Sequence, residues 1–592
     1  VALPQTRQNQ MSNKLYTSIP APRVPRNTFD RSRPNTFSMG FNKTYPTMCD
    51  EILPGDLFRV NMETFARLQP LIAPVMNNMK ISNHFFYVPL RTLNRHFSEF
   101  MFNNRTGDYT DVLPYCELGD FYNAVEALSD IGKHEVAANV IRLIDFMGLP
   151  YKYSSNSISA AAFVNAWLAD DDNENLKLSI IRVNLCPFLA YTKILSEYFR
   201  DENLQDDPFD FYNEDTGDDW FDWTGKITLN EDRAEAFCQL RPRAWAHDRF
   251  TSALPFAQRG PDVLLPIAGT ADVTYKDGFL LETGSPAGKM IYVDSANEVS
   301  ENMYAGGVST NSTRDSLGGE IGSSIPRPLK RAAYDPNGSL QIDFENSDLT
   351  TTINAFRRAE RLQRWYENSA RGGVRPNEAT LAHFGVKTPD SSLDRSEFLG
   401  GNMQPIVISE VAQTSESTQS SPQATLAGKG TSYKTAFGIK RYFTEHGFLF
   451  CFTSALVRAN YWQGLPRMFS RMQRDEYYWP EFANLGEEPV YEKELYVNGF
   501  TQEDEVFGYV PRYSDYKSAV GECHGDMRSS LSFWTQTREF ANAPQLNEEF
   551  MFAKPSDSPF AVQGEYNDKI VVTHQFHVKA SRLMPFYGVP TI

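Results

Sequence analysis

The stretch AWAHDRFTSALPF, residues 244–256, holds His247, Asp248 and Ser252 within six positions. Those side chains are the members of a hydrolytic triad, in which an Asp orients a His that takes the proton of a nucleophilic Ser. The spacing does not favour that chemistry. On a strand His247 and Asp248 point to opposite faces, and on a helix they diverge, so Asp248 cannot orient His247 against Ser252 without a special turn. No GxSxG elbow surrounds Ser252. The stretch reads as framework.

Other reactive residues fare similarly. His574 and His577 lie three apart in VVTHQFHVK. A strand puts them on opposite faces, so they form no chelating pair. His446 follows Glu445 outside any HExxH pattern. Residues 201–222 carry ten carboxylates. The fixed spacing of a calcium-binding EF-hand loop is missing there, and the segment reads as an acidic surface loop. AGKGTSY (427–433) lacks the upstream Gly and the preceding apolar strand of a phosphate loop. A glycosidase would need two carboxylates facing across a sugar, and the 74 acidic residues single out no such pair. The six Cys never come within four residues of one another, which excludes CxxC metal and redox motifs and leaves reduced thiols. We expect no enzyme, no metal and no cofactor.

Charge is informative through its distribution. The 592 residues carry a net −17, against general nucleic-acid binding. Residues 1–36 hold Arg7, Lys14, Arg23, Arg26, Arg31 and Arg33 against Asp30 alone, a local +5 that leaves −22 elsewhere. A basic, Pro- and Asn/Gln-rich arm thus precedes an acidic body, and such arms contact nucleic acid or a partner. These six cations are the candidate nucleic-acid-binding residues. No run approaches 18 apolar residues, so no membrane insertion is expected, and the first 20 residues lack the apolar core of a secretory leader.

The elements that must position these residues are mainly strands. Aromatics make up 13%, which suits pleated, half-buried surfaces. Residues 50–68 read as a turn at Pro54-Gly55-Asp56 followed by a strand, and 79–90 as a second strand. Strand-like runs recur at 446–459, 490–500, 504–513 and 569–580. Helices are expected over 156–171, over 186–203 with Pro187 in the first turn, and over 350–370 with an apolar stripe of Ile353, Phe356, Ala359, Leu362 and Trp365. Residues 295–340 and 411–430 read as polar loops. The pattern is that of an antiparallel sandwich or barrel, with contacts between copies rather than a reaction centre as its function.

Several stretches resemble the major capsid proteins of the Microviridae, the small single-stranded DNA phages, in the gokushovirus branch. They include EILPGDLFRVNMETFARLQPLIAPVMNNMKISNHFFYVPLR (51–91), CPFLAYTKILSEYFRDENLQ (186–205), HDRFTSALPFAQRGPDVLLPI (247–267), SARGGVRPNEATLAHFGVKTPDSSLDRSEFLGG (369–401), PIVISEVAQTS (405–415), TEHGFLFCFTSALVRANYWQGLPRMFSR (444–471), DEYYWPEFANLGEEPVYEKELY (475–496) and DEVFGYVPRYSDYK (504–517). They run in family order through most of residues 50–550. The resemblance implies a mainly β fold: an eight-stranded antiparallel jelly roll, the viral capsid β-barrel, with long loop and helical insertions. It implies a basic arm over 1–45 and a capsid domain over 46–592. A variable insertion, here about 261–345, would form a threefold protrusion used in host attachment. Expected partners are identical subunits in a T=1 icosahedral shell, circular single-stranded DNA, an internal scaffolding protein, a DNA pilot protein and a host cell surface receptor. The protein would reside in the virion and assemble in the bacterial host cytoplasm. The sequence departs from the family over 206–235 and within the insertion. A β-rich carbohydrate-active hydrolase and a receptor-binding spike are the alternatives.

Overall fold

The computed structural model describes residues 25–587 except 103–111, 154–158, 206, 208–211, 214–217, 262, 264–272, 276–288, 294–298, 305–339, 343–352, 373–375, 387–394, 413–425, 500–504 and 565. The chain divides into two compact units, one built from residues 1–259 and 367–592, the other from 260–366.

Ten strands organise the first unit: β1 (Arg26–Asp30), β2 (Arg33–Met39), β3 (Tyr45–Ile52), β4 (Leu57–Leu68), β5 (Met79–Pro89), β6 (Glu397–Pro405), β7 (Val407–Ala412), β8 (Leu426–Tyr442), β9 (Gly447–Val457) and β10 (Ile570–Leu583). They form two antiparallel sheets. The first runs β1–β10–β4–β8–β7, with β2 also pairing along β10; the second runs β6–β5–β9–β3. Neither closes into a barrel. The fold is strand-rich, as the aromatic composition predicts.

Period-two alternation explains the first sheet. In β4 Phe58, Val60, Met62, Thr64, Ala66 and Leu68 are buried while Arg59, Asn61, Phe65 and Arg67 are exposed. Phe58, Val60 and Met62 meet Phe85 and Tyr87 of β5, Leu449 and Cys451 of β9, and Phe576 and Val578 of β10 in one apolar cluster. Strand β9 is buried almost throughout because both of its faces are covered. Its other face joins a larger core, where Phe450 and Phe452 meet helix residues. The helices there are α1 (Leu118–Asp130), α2 (His134–Phe146), α3 (Ala160–Leu168) and α4 (Cys186–Tyr198). Phe121, Ile141, Phe163 and Phe188 are their contributions.

A polar chain crosses between the sheets. Thr453 donates to Asn83 Oδ1 at 2.8 Å, and Asn83 Nδ2 donates to Asn402 Oδ1 at 3.0 Å. With its proton committed, Thr453 accepts from His574 Nε2 at 2.9 Å, and Thr64 donates to His574 Nδ1 at 3.0 Å. Burial pushes His574 down to about 3, so the ring is neutral. His577 is exposed on the opposite side of β10, as the three-residue offset predicts.

Local signals account for several boundaries. Gly55 takes φ +87°, and Asp56 Oδ2 accepts from Leu53 N at 2.9 Å, closing the turn between β3 and β4. Ser159 caps α3 by accepting from Ala162 N, and Pro187 sits in the first turn of α4. Three segments differ from the sequence reading. The strand expected at 490–500 belongs to Glu487–Tyr491 and gives way to a 3-10 turn at Glu492. The loop expected at 411–430 is strand at both ends, in β7 and β8, and its residues 413–425 lie outside the described residues. Helices α1 and α2 were not expected at all.

The second unit contains two antiparallel pairs, Val273–Tyr275 with Leu340–Ile342 and Lys289–Val293 with Val299–Tyr304. Most of the insertion expected over 261–345, including most of the 295–340 loop, lies outside the described residues. Helix α5 (Ile353–Arg371) falls where the sequence places it. Its stripe is not buried: Ile353, Phe356, Leu362 and Trp365 are exposed, and Ala359 alone of the five is covered.

Candidate assembly and nucleic-acid surfaces

Arg7, Lys14 and Arg23 of the basic arm lie outside the described residues. The described part of the arm, from residue 25, is largely strand. β1 and β2 run along β10, from Arg26 opposite Leu583 to Met39 opposite Ile570. Arg26 Nη1 donates to the Gly55 carbonyl at 2.6 Å, with its guanidinium 5.9 Å from the Tyr442 ring centroid. Arg31 and Arg33 converge on the buried carboxylate of Asp50, at 2.8 and 3.1 Å. These three cations therefore anchor the arm to the body, and sequence proximity did not reveal Asp50 as their partner.

The exposed face of the first sheet carries a row of cations that the sequence reading missed. Arg59 on β4 stands opposite Lys579 on β10 and opposite Lys440 on β8. All three are exposed. Like charges facing each other across strands cost stability, and an arriving polyanion relieves that cost. Asp30, at the end of β1, sits opposite Lys579. Hydrogen bonds from Ser32 hold its carboxyl below the usual range, with Lys579 and His577 adding to the effect. Farther along, Phe65 and Tyr433 face each other across β4 and β8, and both are about half exposed. The signal was present in the sequence: alternation in β4 sends Arg59, Phe65 and Arg67 to one side.

A second surface is apolar. Met468, Phe469, Met472, Tyr477, Tyr478 and Trp479 are all exposed, Met472 to 80%. Buried ion pairs lie behind it. Glu494 accepts from Arg249 and, at 2.8 Å, from Arg467, and Arg471 pairs with Asp515. Leu178, Ile180 and Ile181 form another bare cluster, Leu178 at 89% exposure. Contiguous exposed Met and aromatic side chains mark protein–protein contact.

The hydrolase-like residues of 244–256 are not assembled. Asp248 accepts from Phe250 N at 2.9 Å, from Thr251 N at 2.8 Å and from the Tyr461 hydroxyl at 2.7 Å, forming a tight turn. His247 is exposed and bonds neither Asp248 nor Ser252. In the acidic segment, Asp207 pairs with Arg200 at 3.0 Å, and Asp219 and Asp222 face Arg95. Among the described residues no group of three His, Cys, Asp or Glu could hold a metal ion, and no helix is long and apolar enough to cross a membrane. The six Cys form no disulfide.

An antiparallel β body whose surface offers bare aromatic platforms and cation rows, with its polar clusters tied into structure, defines a subunit made for contact with copies of itself. The particular class is a viral shell protein. The family described as "Capsid protein (F protein)" matches residues 17–116 and 159–592, and the chain belongs to it. It is 30% identical over 625 aligned positions to capsid protein VP1 of Chlamydia phage 1, covering 98% of each chain. It is 30% identical to capsid protein VP1 of Bdellovibrio phage phiMH2K, covering 99% of this chain and 98% of the relative. Capsid protein VP1 of Spiroplasma virus 4 is 26% identical over 96% of this chain and 95% of the relative. The resemblance to Microviridae capsid proteins is thus borne out, and the protein is a structural major capsid protein of the virion. Family membership implies a structural, non-enzymatic role.

Proposed function

We propose that the long strands form a jelly roll and that identical copies close into a T=1 icosahedral shell around circular single-stranded DNA. The carrying observation is the strand order. Taking β1 and β2 as one strand and leaving out the edge strand β7 that extends the first sheet beyond β8, the sheets read β2–β10–β4–β8 and β3–β9–β5–β6. The eight strands fold in pairs that hop between the sheets, as two interlocked Greek keys require. The apolar platforms around Met472 and Leu178 supply surfaces for contact between copies. In the arm, Arg7, Lys14 and Arg23 neutralise DNA phosphates in a salt-dependent way, while Arg26, Arg31 and Arg33 chiefly hold it to the body, and the Arg59 row continues it beyond Asp30. The insertion near 261–345 forms a threefold protrusion that meets a host receptor. A scaffolding protein and a DNA pilot protein assist assembly in the host cytoplasm.

Electron microscopy of the expressed protein tests this reading. Closed particles or pentameric precursors are expected, and monomers alone under virion-like conditions would sink it. Because residues 26–39 belong to the sheet, the truncation that probes the arm must stop at residue 24. It should lower DNA retention and salt sensitivity while particles still form; unchanged DNA content would remove the arm's role.

A further inference from the structure

On β5 the side chains facing away from the first sheet are Lys80, Ser82, His84 and Phe86. With the ends of β6, β9 and α4 and the segment 243–247, they wall a cavity of about 480 Å³. Its cations are Lys80, Arg243 and Arg458, and among the described residues no carboxylate lines it. That is unusual in a chain with 74 carboxylates against 57 Lys and Arg. The larger cavity nearby, about 1180 Å³, is lined by seven carboxylates and five Lys and Arg side chains.

Arg243 Nη1 donates to Ser82 Oγ at 2.7 Å and to Ser454 Oγ, and its guanidinium lies 5.2 Å from the Phe199 ring centroid. Burial with no counter-charge lowers its pKa to about 10. His84 lies with its ring centroid 6.0 Å from Phe199 and 5.9 Å from Phe398. Burial first, and then Arg243, push it down to about 4, so it is a neutral ring at pH 7. The wall therefore combines uncompensated positive charge and flat rings. An apolar guest would leave the cations unpaired, and a bare inorganic anion would leave the rings unused.

We propose that this cavity binds a nucleotide, with the phosphate on Arg243 flanked by Lys80 and Arg458 and the base against Phe199 and Phe398. Its size suits such a ligand. The nucleotide is either free or one residue of a single strand, and the second source rests on the shell reading above. The cavity opens on the other sheet from the Arg59 row, so one nucleotide cannot touch both.

Calorimetric titration of the full chain with deoxyadenosine monophosphate, a ten-residue oligothymidylate and inorganic phosphate tests the proposal. One saturable site per chain is expected for the mononucleotide, identifying a free nucleotide, or for the oligonucleotide alone, identifying a strand. The double variant Lys80→Glu/Arg458→Glu should weaken that binding at least tenfold, and Phe398→Ala several-fold; all three side chains are exposed, so the fold is kept. The proposal fails if neither nucleic-acid probe saturates, if these variants bind like wild type, or if inorganic phosphate binds as tightly as the mononucleotide. Micrographs of the same samples separate the two readings: particles without nucleotide binding overturn the cavity alone, and no particles from wild type overturn the shell.

Discussion

Two arginines, Arg142 on α2 and Arg243 in the segment 243–247, show how the same side chain can be structural in one region and open to a ligand in another. Arg142, on α2, is 2% exposed, with Nη2 3.2 Å from Asp568 Oδ1, Nη1 donating to the Tyr45 hydroxyl at 3.1 Å and Nη2 to the Tyr566 carbonyl at 3.1 Å. Burial works against its charge, but Tyr45, Tyr153 and Asp568 outweigh it and raise the pKa. Arg243 is only partly buried, rests on two serine hydroxyls, and has its pKa lowered. A buried charge needs a counter-charge. Arg142 has one within the chain. Arg243 has only what enters its cavity.

The sharpest way to break this comparison is to remove the internal counter-charge. Asp568→Asn leaves Arg142 buried and unneutralised and should cost about 3–5 kcal/mol of stability, read by chemical denaturation. A loss below about 1 kcal/mol would show that Tyr45 and Tyr566 suffice without the ion pair.

Acid gives the next effect. His574 has its folded pKa depressed to about 3, against an unfolded value of about 6.5. Between those values the unfolded chain binds the extra proton, so stability is full above about pH 6.5 and falls as pH drops toward 3. From pH 7 to 4 the loss from this group is roughly 3 kcal/mol. His84, depressed to about 4, adds in the same direction. Denaturation midpoints across that range should flatten in His574→Asn, which cannot titrate; an unchanged slope would mean that other groups govern the acid response.

Arg243→Met should matter less to the fold. It removes two hydrogen bonds to serines but also an uncompensated charge, for a net change of about 1–2 kcal/mol of either sign. A loss matching that of Asp568→Asn would erase the distinction between the two arginines. Smallest of all, Lys80→Glu/Arg458→Glu should leave stability within about 0.5 kcal/mol, since both side chains are exposed; a larger drop would make them structural.

Much of the body was legible in the residues. Alternation in LFRVNMETFARL gives β4 and the side each residue takes, and Pro54-Gly55-Asp56 gives the turn before it. The periodic Phe188, Tyr191, Ile194 and Leu195 with Pro187 give α4. Other elements were hidden for physical reasons. The start of β8, residues 426–430, fell inside the Ser/Thr/Gln-rich segment read as a loop, yet a Cβ at Gly430 would collide with the Leu68 side chain and one at Gly428 would crowd Leu71. Those glycines mark close strand packing rather than a turn. α5 shows the converse. Its stripe was legible, but the stripe faces solvent, so the sequence displayed an apolar face without saying what covers it.

The six cations of the arm were equally visible, but that Arg31 and Arg33 close on Asp50 was not. By itself the sequence determined the local periodicities, the turns, the uneven charge and the family, since each depends on neighbours along the chain or on matching residues in order. Only the tertiary structure decided which charges find partners. Lys80 and His84 on β5, Arg243, Phe398 and Arg458 come from four separate stretches, and the tertiary fold puts them around one space that no carboxylate lines among the described residues. Electrostatic cost and relief depend on distance in space and on exclusion of water, and neither is written in the order of the residues.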